Sequence, residues 1–147
     1  MMEIVTQCIM GELDHPNHNG RIYDSKMMQK AIDKWKKDGN KIAELDPDYG
    51  SIDHFSEPQL YEAAGKVEDI WIKDNKVVGK IQLLDTPKGK IAQTILDEKV
   101  KESFQINSRM LGEKIPVLNE EGQPTYDKDG NQIYEIKDIE IVSFDLV

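Results

Sequence analysis

The chain has 147 residues, a length that fits one domain with a single hydrophobic core. Its 28 acidic residues outnumber the 19 lysines and arginines and give a net charge of −9, which argues against nucleic acid or an anionic membrane as the main partner. Cys8 is the only cysteine, so neither an intrachain disulfide nor a thiolate metal cluster is expected. No apolar run approaches the roughly 18 residues of a transmembrane helix, and the N-terminus lacks the basic region of a secretory signal.

The first half of the chain predicts one strand and one helix. Residues 2–10 carry the apolar side chains of a strand. A helix is predicted between Ser25, which can cap it, and Gly39, which can end it, because apolar residues recur there at helical spacing. These residues are Met27, Met28, Ala31, Ile32 and Trp35. Residues 41–58 predict a long loop with a short extended piece at Ile42–Leu45, and loops of this length are often functional.

The second half predicts mostly strands. Residues 66–84 read as a β-hairpin with a polar turn, in which Gly79 is a candidate bulge. Thr86 and Pro87 have the residue types of a helix cap and a first helical position. The remaining predictions are an alternating segment, a second hairpin with glycine-containing turns and a last strand, at residues 104–108, 116–136 and 139–147.

The order of these elements predicts the fold class. It lacks the βαβ alternation of a doubly wound sheet. We therefore expect an α+β fold, a mainly antiparallel and partly closed β-barrel with two or three outer helices. Residues 1–147 are expected to form a single domain. The chain ends at Val147 inside an apolar strand, which favours a truncated or processed chain.

The first candidate site is a serine and histidine pair. Ser108 lies at the end of the alternating segment, and a histidine can take the proton that makes its hydroxyl nucleophilic. The candidate histidines are His15, His18 and His54, and the carboxylates that could orient one are Asp145, Asp53 and Glu140. Three histidines are ordinary for this length, so solvated side chains are the simpler interpretation from these residues alone.

Two further patterns suggest metal ions. Asp14, His15 and His18 could bind zinc, but no second pair of ligands accompanies them, so a solvated loop is favoured. Residues 127–132 resemble the start of a calcium loop, but Gln132 occupies the position that requires glycine, so a hairpin turn is favoured. No metal or other cofactor is therefore predicted.

Five segments stand out in chain order: NHNGRIY (Asn17–Tyr23), GSIDH (Gly50–His54), the hairpin and DTPKGK (Val67–Lys90), INSRMLG (Ile106–Gly112) and SFDLV (Ser143–Val147). In this order they resemble the prohead, or head-maturation, serine proteases of tailed phages, a family similar in fold to the herpesvirus assemblins. The resemblance extends from about Met10 to the end of the chain.

The resemblance implies a catalytic histidine and a catalytic serine. By position in the chain the histidine is His54, and the alternative is His15, which lies in the literal GELDHP string. The family pattern Ser-Ser-Arg-Gly is replaced by a run from Asn107 to Met110, so Asn107 occupies the first serine position and Ser108 is the expected nucleophile. Arg109 is expected near the oxyanion, and Asp145 is the expected orienting carboxylate.

The resemblance also implies a function. It predicts a serine endopeptidase that cuts scaffold and capsid proteins inside the phage prohead, in the host cytoplasm. Neither nucleic acid nor membrane is an expected partner, and a homo-oligomer is compatible with the family. The alternative is an inactive homologue with a structural or inhibitory role in head assembly. A third hypothesis is an acidic α+β binding domain unrelated to phage heads.

Overall fold

A computed structural model describes residues 3–45, 62–97 and 105–147. These ranges contain seven strands and two helices. The strands are β1 (Glu3–Glu12), β2 (Arg21–Tyr23), β3 (Ile42–Glu44), β4 (Ala63–Lys73), β5 (Lys76–Leu83), β6 (Ile106–Pro116) and β7 (Tyr134–Leu146). The helices are α1 (Ser25–Asp38) and α2 (Pro87–Asp97). Neither helix is long and apolar enough to cross a membrane.

All seven strands form one mixed sheet in the order β2-β7-β6-β1-β5-β4-β3. Most neighbours are antiparallel, but β1 with β6 and β2 with β7 are parallel. The predicted barrel is wrong, because the end strands β2 and β3 are not paired with each other. An isolated bridge from Leu45 to Leu146 brings the β3 end of the sheet to β7 without closing a ladder. The fold is therefore α+β with an open mixed sheet.

Helix α1 forms where the apolar spacing predicts it. The N-cap is Asp24 rather than the predicted Ser25, since the Asp24 carboxylate accepts the Met27 N–H at 2.9 Å. Gly39 ends the helix as predicted, and its N–H donates to the Trp35 carbonyl at 2.7 Å. On the buried face Trp35 meets Phe144 of β7 edge to face, with ring centroids 4.9 Å apart, so α1 is fixed against the strand that carries Asp145.

The β4–β5 hairpin and α2 also follow their local sequence signals. Asp74 and Asn75 form the turn with positive φ angles of 51° and 63°. The Thr86 hydroxyl accepts the Gly89 N–H at 3.0 Å and so caps α2. The predicted bulge at Gly79 is wrong, because the extra residue lies on β4 between Val67 and Asp69.

The second predicted hairpin is only partly right: the chain reverses within residues 116–136, but residues 117–133 form the connection and the paired strands lie mostly outside that range. Strands β6 and β7 pair antiparallel over most of their length, from Ile106 opposite Leu146 to Pro116 opposite Tyr134. The connection between them contains two turns, with Gly122 and Gly130 at positive φ. Because of this pairing, residues 106–109 lie beside the C-terminal end of β7, where the candidate site is found.

Candidate functional site

A cleft opens where β1 and β6 separate. The two strands share a single paired position, Cys8 with Ile106, and beyond it they are no longer paired with each other. The cavity that results has a volume of about 340 Å³. Its lining consists of Ile9 and Met10 from β1, the polar residues Asn17, His18, Asn19, Arg21 and Tyr23, and Asn107, Ser108 and Met110 from β6.

Both candidate nucleophile positions border this cleft. Asn107 and Ser108 are each half-buried and each line the cavity. Neighbouring residues of a regular strand point to opposite faces, and residues 106–109 pair in unbroken register with residues 143–146 of β7. The register shifts only after Arg109, where the extra residue Val142 lies on β7, so no bulge of β6 separates Asn107 from Ser108.

The Ser108 hydroxyl has a buried neighbour that sequence reasoning missed. The Cys8 thiol donates to the Ser108 Oγ, with 3.9 Å between sulfur and oxygen. Burial raises the pKa of Cys8 and outweighs the hydrogen bonds from Met10 and Ser108 that lower it, so the thiol stays neutral and acts as a donor. The sequence shows Cys8 only as an apolar strand residue, and its contact with a residue 100 positions away has no local signal.

Directly after Ser108, a fully buried cluster of charges joins three strands. We call it the Arg109 network, and its members are Glu44, Arg109, Ser143 and Asp145, all with no exposed surface. The Arg109 Nε donates to Asp145 Oδ2 at 2.6 Å and its Nη2 donates to Asp145 Oδ1 at 3.2 Å. The same Nη2 also donates to Glu44 Oε2. The guanidinium is therefore directed at two carboxylates.

Two further donors complete the contacts of Asp145 within the network. The Glu44 backbone N–H donates to its Oδ1 at 3.0 Å, and the Ser143 hydroxyl lies 3.3 Å from its Oδ2. Desolvation lowers the pKa of Arg109, but the hydrogen bonds and charges of Asp145 and Glu44 outweigh it and raise the pKa overall. Arg109 consequently carries its charge at every physiological pH.

Glu44 is the charged member of this network that sequence reasoning missed. It ends β3, which coincides with the short extended piece predicted at Ile42–Leu45. An acidic residue inside an apolar extended run was a weak signal of a buried ion pair, because Glu is almost never fully buried unless paired. The partner Arg109 lies 65 positions away, so no spacing rule identifies it.

The predicted histidines and carboxylates are distributed over several places. His54 and Asp53 lie outside the described residues. His18 lines the cleft with Ser108, whereas His15 is exposed in the turn between β1 and β2. Glu140 is exposed on β7 opposite Leu111, five positions before Asp145 and thus roughly 17 Å along the strand from it.

The two patterns that suggest metal ions instead make local backbone contacts. Asp14 Oδ1 accepts the Ser25 N–H at 2.8 Å, and this hydrogen bond lowers the pKa of Asp14. Asp127 Oδ1 accepts the N–H groups of Asp129 and Asn131 in a tight turn. Within residues 3–45, 62–97 and 105–147 no cluster of three or more His, Cys, Asp or Glu side chains could hold a metal ion.

Comparison with known proteins places this chain in a family. The chain is similar in fold to the capsid assembly protease gp21 of bacteriophage T4, with a TM-score of 0.61 and 18% sequence identity over 97% of this chain and 80% of that one. No curated protein matches the chain. A sequence model described as prohead core protein serine protease matches residues 3–120, which include β1, the cleft-lining loop, Ser108 and Arg109. The chain therefore belongs to the family of prohead core protein serine proteases.

Proposed function

We propose that the chain is an active capsid-maturation endopeptidase with Ser108 as its nucleophile. The observation that carries this proposal is the position of Ser108, half-buried at a cleft of about 340 Å³ in a member of a serine protease family. A cleft of this size can take side chains of an extended peptide. The presence of Ser108 in the lining of the cleft supports the shift of the nucleophile from the position of Asn107 to Ser108.

The proposed mechanism is acyl transfer with His54 as the general base. His54 takes the Ser108 proton as Oγ attacks the scissile carbonyl, and then gives it to the leaving amine. Water hydrolyses the acyl-enzyme by the same route. Asp145 is the orienting carboxylate in this proposal, as expected from the sequence; it pairs with Asn107 across the two strands, and its oxygens accept the Arg109 guanidinium. We place the oxyanion at the backbone near Arg109, since the guanidinium itself is directed at Glu44 and Asp145.

The proposed substrates are scaffold and capsid proteins, cut inside the prohead within the host cytoplasm. Family membership and the fold shared with a capsid assembly protease support this assignment. An oligomer of this chain in the prohead is part of the same proposal. Light scattering of the purified chain measures its mass in solution and tests that part.

Labelling with a fluorophosphonate tests the nucleophile directly. We expect one adduct, mapped by mass spectrometry to Ser108, and loss of both labelling and cleavage of head proteins in Ser108→Ala. Ser25→Ala is the matched control, since Ser25 begins α1 and does not line the cleft. Cleavage at the wild-type rate by Ser108→Ala removes Ser108 from the mechanism. Separate alanine variants of His54, His18 and His15 identify the base, and we expect only His54→Ala to abolish labelling.

The second candidate function is that of an inactive homologue with a structural or inhibitory role. Asn107 favours it, because an amide stands where the family has its first serine and cannot act as an activated hydroxyl. Asn107→Ser separates the two candidates. Activity that is absent from the wild type and appears in Asn107→Ser supports the inactive homologue, whereas a labelled serine in the wild type refutes it.

A further inference from the structure

The Arg109 network connects distant parts of the sheet. In the strand order β3 is at one end, whereas β7 is next to the other end. Glu44 at the end of β3 reaches β7 through its N–H to Asp145, and β6 through its carboxylate to Arg109. The next residue, Leu45, bridges Leu146. These contacts hold the end of β3 against the strand pair that carries the candidate nucleophile.

Stability alone does not account for charges at this place. Three ionisable side chains with no exposed surface lose their hydration, and apolar residues of similar volume often stabilise a protein as well or better. An ion network does add direction, because the planar guanidinium can donate hydrogen bonds to carboxylates only at fixed positions around it. Arg109 is adjacent to Ser108 in the chain, so the orientation of its side chain constrains the backbone at the candidate nucleophile.

We propose that Glu44 is a positioning residue of the candidate active site. Its carboxylate binds the Arg109 guanidinium from the β3 side, while Asp145 binds it from β7. Together the two carboxylates fix the position of the β6 backbone at Ser108. Glu44 does not act on the substrate itself. The assignment of a catalytic effect rests on the proposed function, whereas the mechanical link between β3 and β6 does not.

The first test compares Glu44→Gln, which removes the charge and keeps the shape, with Glu44→Asp, which keeps the charge. The matched control is Glu140→Gln, an exposed acid of β7 outside the network. We expect Glu44→Gln to lower kcat and the rate of Ser108 labelling at least tenfold, with KM within about twofold of the wild-type value. Both rates are divided by the concentration of folded protein, which circular dichroism measures. Glu44→Asp should recover part of the rate and Glu140→Gln should match the wild type. Wild-type kcat and labelling in Glu44→Gln overturn the proposal.

Hydrogen–deuterium exchange tests the link without any activity. In Glu44→Gln we expect faster amide exchange at residues 106–110 of β6. We expect no change at the turn of the β4–β5 hairpin, formed by Asp74 and Asn75. Should Glu44→Gln not fold, Glu44→Asp should show a smaller increase in exchange at the same residues, because its shorter side chain weakens the contact with Arg109 but keeps the charge. Unchanged exchange at residues 106–110 refutes the link. A wild type that neither cleaves nor labels refutes the proposed function alone, and the exchange result then still decides on the link.

Discussion

Replacing Arg109 with methionine should cost more stability than any other single change of a charged residue in the described sheet. Arg109 is fully buried, and its guanidinium is the cation in contact with Glu44 and Asp145. Methionine has a similar length but no charge, so the variant keeps two buried carboxylates without this cation. Removing one partner of a buried ion pair typically costs about 3–5 kcal/mol.

This energy translates into a measurable shift of the melting temperature. For a chain of this size each kcal/mol lowers Tm by roughly 2–4 °C, so Arg109→Met should melt roughly 6–20 °C below the wild type. Urea unfolding followed by circular dichroism gives the free energy of unfolding, and an unchanged m value shows that the same surface is exposed. Because total stability is about 5–15 kcal/mol, part of the variant population can be unfolded at 25 °C.

The chain offers a matched control in its other arginine, Arg21. Arg21 is half-buried at the cleft and forms no ion pair with the residues that the structure describes. Arg21→Met should therefore change the free energy of unfolding by no more than about 0.5 kcal/mol. A loss of less than about 1 kcal/mol in Arg109→Met would refute the reasoning, because exposed ion pairs contribute that little.

Three further predictions concern the sheet and the buried thiol. Gly79→Ala should cost about 1–3 kcal/mol, because the new Cβ would meet Ile106 Cδ1 and lie 2.6 Å from Ile70 Cδ1. Ile106→Val removes one of these atoms, so the double variant should show favourable coupling in urea unfolding, and strict additivity would contradict this explanation. Asp138 has a φ of 52°, so Asp138→Val should lower the free energy of unfolding by about 1–2 kcal/mol, whereas Asp138→Gly should stay within about 0.5 kcal/mol of the wild type. Equal stability of the two variants would argue against backbone strain. Burial raises the pKa of Cys8 above its ordinary value of 9.0, so the unfolded chain ionises first and the stabilising contribution is present below about pH 9 and lost as pH rises. Relative to Cys8→Ala, the wild type should lose at most about 1.4 kcal/mol per pH unit above that point, and parallel pH profiles of the two proteins would refute it.

Local sequence signals predicted most of the individual elements. The apolar spacing of α1, the Thr86-Pro87 start of α2 and the polar turn of the β4–β5 hairpin all appear in the structure. The local errors are small shifts in which a neighbouring residue takes the predicted role, as when Asp24 rather than Ser25 caps α1. The error in the fold class has another cause. Whether a sheet closes depends on how its distant edge strands meet, and here β2 and β3 are not paired, while the β3 end reaches β7 by an isolated bridge.

For the candidate site, the sequence by itself determined the residue types and their order along the chain. The residue types and their order were sufficient to identify the family, because Asn17–Tyr23 and the Ser108-Arg109 pair lie inside residues 3–120, which the family model matches. Only the tertiary structure decided that the Arg109 side chain points to Glu44 and Asp145, that Cys8 contacts Ser108 and that His18 lines the same cleft as Ser108. These contacts join residues 36 to 100 positions apart. Strand pairing across the sheet sets them, and a local pattern of residues carries no information about which strands become neighbours.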